Sequence, residues 1–153
     1  RGTCRRRGAG FAFGAPMRRL GRWVWALGPV ALYAGLIVYL SSRSSFPGLS
    51  GFIFGRVNDK ILHFVEYAAL AFLINRAFML LRPSASLRRT TLLAIALGTA
   101  FGLTDEIHQR FVPNRDASLY DLLADFLGSV AGAMAYAAWA DLRDRLGRRL
   151  PAP

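Results

Sequence analysis

Residues 104–125, TDEIHQRFVPNRDASLYDLLAD, set acids, a histidine, a glutamine and arginines between two apolar runs, and the fold follows from how they are read. The run before them, 90–103, is too short to cross a bilayer if it stops ahead of Asp105, because a crossing helix needs about 20 residues. A helix that does cross must carry Asp105, Glu106 and Gln109 in its last turns. A central Asp costs roughly 2.5–3.5 kcal/mol on insertion scales, so ionisable groups at that depth mark a functional site.

Outward from this segment lie three further apolar runs, at 23–40, 61–81 and 119–140. Hydrophobic residues make up 54% of the chain and mean hydropathy is +0.30, too apolar for a soluble domain of this size and too interrupted for one long helix. The expectation is an all-α polytopic membrane protein, a bundle of four transmembrane helices. There is no internal repeat and no loop long enough for a second domain, so one membrane domain is expected over 17–147. The Arg- and Gly-rich residues 1–16 precede Met17-Arg18-Arg19 and are expected to be a start-site extension or a disordered basic tail; 148–153 form a basic C-terminal tail. Cys4 is the single cysteine, which excludes a disulfide framework.

The net charge is +11, yet the arginines do not interleave with aromatics on a polar domain, and nucleic acid is excluded as a partner on that ground. They gather instead at the ends of apolar runs: Arg18, Arg19 and Arg22 before the first, Arg82, Arg88 and Arg89 between the second and third, Arg143, Arg145, Arg148 and Arg149 after the fourth. The positive-inside rule then puts both termini and the middle loop in the cytoplasm, with 41–60 and 105–118 outside, for a multi-pass protein of a bacterial inner membrane. The first connection holds Pro47 and is expected to be irregular, lying on the membrane surface through Phe46, Phe52 and Phe54. Asn58 or Asp59 is expected to cap the second helix, and Arg82-Pro83-Ser84 to end it.

Positions three and four apart share a helix face. Asp59, His63, Glu66 and Leu70, with Tyr67 beside them, form one stripe; Gly98, Gly102, Glu106 and Gln109 a second; Asp121, Asp125, Gly128 and Gly132 a third. The glycines read as packing, since small residues at four-residue spacing let helices approach closely in lipid. The three stripes are expected to meet and to gather their polar ends in one outward-facing cleft. Asp59 reads equally as a helix cap or a site residue, His63 with Glu66 also as a neutral interhelical pair, and Asp105, His108 and Arg110 as a solvated helix end. Glu106, Gln109, Arg115 and Asp121 are less easily explained that way, because the outer loop concentrates them between two spans.

Asp59-Lys60-x-x-His63-x-x-x-Tyr67, then Glu106-x-x-Gln109-x-Phe111-x-Pro113-x-Arg115, then Asp121 with Gly128 and Gly132, together resemble the VanZ-like family of bacterial integral membrane proteins over about residues 30–140. Where that family tends to have Asn four residues after the aspartate, this chain has Asp125. The resemblance implies a role in the cell envelope and a link to resistance against the glycopeptide teicoplanin.

Three functional readings follow. In an enzyme, His63, Glu106 and Asp121 are the expected catalytic groups, as general acid and base or as ligands of a divalent metal with Asp125. Lys60, Tyr67, Gln109 and Arg115 are then the expected substrate-binding residues, with Arg115 able to grip the phosphate or carboxylate of a lipid-linked envelope precursor bidentately. No His-Glu-x-x-His, Gly-x-Ser-x-Gly or phosphate-binding glycine loop is present, so neither cofactor nor metal is assigned. In an accessory membrane protein the same residues form a salt-bridge network, and function lies in contacts with membrane lipid or a partner. A transporter with a His63–Glu66 proton relay ranks behind, since four spans are few and no broken-helix repeat is visible.

Overall fold

A computed structural model of the protein describes residues 14–42, 56–113 and 117–149, with side-chain surroundings given for 19–42, 60–113 and 117–148. These residues form four α-helices, α1 Gly14–Ser41, α2 Arg56–Leu81, α3 Leu87–Gln109 and α4 Leu119–Arg149, and no strand occurs among them. Each helix holds a stretch long and apolar enough to cross a membrane: Arg19–Ser41, Lys60–Leu81, Leu87–Gln109 and Leu119–Arg148. The third runs through Asp105 and Glu106 to Gln109, the length a crossing requires.

The interior is built mostly from small and polar side chains, and most of the large apolar ones point outward. Ala71, Ala94 and Ala133 form one core cluster and Ile37, Tyr67 and Leu70 another, while Leu20, Trp25, Leu32 and Leu119 are exposed. That inversion suits a lipid solvent, where burying a leucine between helices gains little and close backbone packing gains more. α2 packs most extensively against α4, and α1 touches α3 only slightly. A Cβ on Gly132 would overlap the Ala68 carbonyl and one on Gly128 the Phe64 carbonyl. These two glycines let α4 lie directly on the backbone of α2, as their spacing predicts.

Local chemistry sets the helix ends. Pro83 follows α2, which stops at Leu81 as expected; the Leu81 carbonyl accepts from Arg22 Nη2 of α1 at 2.7 Å, which satisfies one of the orphan acceptors of a helix C-terminus. Asn58 and Asp59 are not at the N-cap position of α2. The helix already begins at Arg56 and places both residues inside its first turn. Ser118 caps α4: its Oγ accepts from Tyr120 N at 3.2 Å and its carbonyl from Asp121 N and Leu122 N. The expected surface placement of Phe46, Phe52 and Phe54 lies outside the described residues.

Candidate functional site at the polar end of the bundle

The antiparallel run of the helices brings the end of α1, the start of α2, the end of α3 and the start of α4 to one end of the bundle. The three expected stripes do meet there: His63 and Tyr67 of α2, Asp105, Glu106 and Gln109 of α3, and Asp121 and Asp125 of α4 are all buried. Ser41 adds a fourth helix to the group, because its Oγ accepts from Gln109 Nε2 at 3.1 Å.

Asp125 is the innermost acid, 0% exposed, and its Oδ1 lies 2.9 Å from His63 Nδ1. A Cβ on Gly102 would stand 2.7 Å from Asp125 Oδ2, so the glycine stripe of α3 makes room for this carboxylate. Glu106 Oε2 accepts the backbone N–H of Ser118 at 2.8 Å, tying the end of α3 to the cap of α4. Lys60 Nζ, whose side chain is 39% exposed, pairs with Asp121 Oδ1 and stands 5.9 Å from the centre of the Tyr120 ring. Gln109 Nε2 also donates to Asp105 Oδ2 at 3.0 Å. The Tyr67 ring stacks beside His63 at 6.4 Å with 4° between planes, and its hydroxyl has no hydrogen-bond partner among the described residues.

Of the sequence-derived site residues, His63, Glu106, Asp121, Lys60, Tyr67 and Gln109 therefore share one end of the bundle, and Arg115 lies outside the described residues. Asp105, read as part of a solvated helix end, is buried, 4% exposed, because it faces Gln109 across one helical turn. His108 and Arg110 are exposed as that reading expects, with His108 Nε2 3.1 Å from Ser42 Oγ. Sequence reasoning missed Ser41 and Ser118. The second had a signal, since Ser118-Leu119-Tyr120-Asp121 has the Ser-x-x-Asp spacing of a helix start. Ser41 had none, because only the packing of α1 on α3 brings it to Gln109.

The VanZ/LLP1 family model matches residues 30–140, most of the chain and all of the residues just described. The chain belongs to the VanZ/LLP1 family. No curated protein and no solved structure matches it. Within the VanZ/LLP1 region, His63, Glu106 and Asp125 each bring one ligand-type atom to within 4.8 Å of the others. Asp125, where the resemblance leads one to expect Asn, is thus the acid that His63 touches, so the departure from the family pattern falls inside the site.

Proposed function

We propose that this VanZ-like protein resides in a bacterial inner membrane with both termini in the cytoplasm, and that its outward-facing polar end holds the anionic head group of a lipid-linked or cell-wall precursor. The observation that carries the reading is the burial of Asp105, Glu106, Asp121 and Asp125 with His63 at one end of a lipid-facing bundle. Helix packing in lipid needs none of these groups, and each is expensive there. Lys60 supports an anion at the rim, since its ammonium is part-exposed while its partner Asp121 is buried. From the sequence, Arg115 is the bidentate donor to the same anion.

In an enzyme His63, Glu106 and Asp121 act on the bound precursor, as acid and base groups or through a divalent metal that they help to hold. A second reading, a non-catalytic accessory protein, gains support from the Lys60–Asp121 and His63–Asp125 pairs, which occupy charges that a reaction would need. The family resemblance extends either reading to glycopeptide tolerance.

The test is binding in vesicles. Protein reconstituted with a polyisoprenyl diphosphate lipid is expected to be protected against thermal unfolding relative to protein in phosphatidylcholine alone, and Arg115→Lys to lose that protection. Equal stability in both lipids would remove the head-group proposal. A precursor that is bound but unchanged over time would favour the accessory reading, and its conversion the enzyme.

A further inference from the structure

The geometry points to a divalent-cation site formed by His63, Glu106 and Asp125, one residue each from α2, α3 and α4. The three offered atoms lie within 4.8 Å of one another, near the span of about 4.2 Å between opposite ligands of a six-coordinate ion with bonds of about 2.1 Å. Binding needs side-chain rotations that draw the three atoms onto one centre. The 2.9 Å between His63 Nδ1 and Asp125 Oδ1 is also close to the roughly 3 Å that separates neighbouring ligands at right angles on such an ion.

The oxygens left over point the same way. Asp125 Oδ2 and Glu106 Oε1 are buried and have no hydrogen-bond partner among the described residues, although Asp125 is wholly buried and Glu106 is 5% exposed. A buried carboxylate oxygen with no donor is costly, and a cation removes that cost for both at once. Charge points to the same conclusion. Four buried carboxylates, Asp105, Glu106, Asp121 and Asp125, share this end of the bundle, and among the described residues the lysine paired with them, Lys60, is engaged by Asp121. Gly102 leaves Asp125 its space, and the Ser118 N–H holds Glu106 through the other oxygen, Oε2, so that Oε1 stays available. Such an outer partner orients a ligand.

The donor set selects the ion. One imidazole with two carboxylates suits a first-row dication such as Mn2+ or Zn2+ better than Mg2+ or Ca2+, which prefer oxygen alone. Three protein ligands leave a coordination position open, as in sites that take a further ligand rather than closed structural ones.

The site stands or falls independently of the head-group proposal, because its test contains no precursor. Protein stripped with a chelator in detergent is titrated with Mn2+, and the free-ion electron paramagnetic resonance signal is followed. One Mn2+ per chain is expected, displaced by Zn2+, with nitrogen coupling from His63 that His63→Gln abolishes. Glu106→Gln and Asp125→Asn are expected to weaken binding by roughly tenfold or more, at least what the loss of an outer partner costs, while Asp141→Asn, at the opposite end and paired with Arg145, leaves it unchanged. Wild-type protein that takes up no Mn2+ or Zn2+ at this stoichiometry would overturn the site, as would Glu106→Gln binding like wild type. Should Asp125→Asn fail to fold, the wild-type stoichiometry and Glu106→Gln still decide. A bound ion without nitrogen coupling would overturn the assignment of His63.

Discussion

Arg76 of α2 donates through Nη1 to the carbonyl oxygen of Trp25 in α1 at 3.3 Å, and that carbonyl is the one Pro29 leaves without its helical donor. Proline has no N–H to return to the residue four before it, so the bond that α1 lacks is supplied by its neighbour. The guanidinium also lies 5.5 Å from the centre of the Trp25 ring, a cation–π contact on the same pair.

Arg76→Met is therefore expected to destabilise the bundle by about 1–3 kcal/mol, the cost of a polar group left unsatisfied. In a Pro29→Ala background residue 29 regains its N–H, and the same substitution should cost less. Unfolding in mixed detergent of the four proteins of this double-mutant cycle measures the coupling; strict additivity would show that Arg76 acts elsewhere.

The close approach of α4 to α2 makes Gly132 sensitive. Gly132→Ala puts a methyl into the Ala68 carbonyl, which is backbone and cannot yield without separating the helices, so a loss of about 1–3 kcal/mol is expected, as for other overpacked positions. Gly35→Ala, where nothing lies within 4 Å, is expected to be neutral or to gain up to about 1 kcal/mol from helix propensity. Thermal unfolding in detergent distinguishes the two, and equal effects would contradict the packing described.

The Lys60–Asp121 pair is asymmetric, with side chains 39% and 6% exposed. Lys60→Met strands a buried carboxylate and should cost roughly 1–3 kcal/mol. Asp121→Asn leaves a part-exposed ammonium to the solvent and should cost less than about 1 kcal/mol. Asp121→Asn and Glu106→Gln are both expected to insert and accumulate while abolishing the envelope phenotype. Loss of folded protein in either, seen as aggregation on size exclusion, would make that residue a structural partner first.

Orientation is checked with reporters. An enzyme active only in the periplasm is expected to work when fused after Arg115 and to fail after Arg88, because Arg88 and Arg89 sit with the other arginines at the end expected to face the cytoplasm. The reverse pattern would turn the polar end inward and remove its access to an outer-leaflet head group.

The number of helices, the glycine faces and most of the polar site were legible in the sequence, although α1 begins nine residues before the apolar run at 23–40 and α4 continues nine residues past the one at 119–140. Those features depend on local periodicity and on the length a bilayer demands, and both are properties of a single helix. Gly98, Gly102 and Glu106 fall on one face of α3 whatever packs against them, and the apolar run before Asp105 is too short without the acids that follow. Pairings between helices depend on rotation and depth, which spacing along one chain does not express. Packing alone set His63 against Asp125, joined Lys60 to Asp121, buried Asp105 and brought Ser41 to Gln109. The same holds for Arg76 and Trp25: a proline in α1 announces an unsatisfied carbonyl, but only the tertiary structure, by laying α2 beside it at the right height, decides which donor arrives.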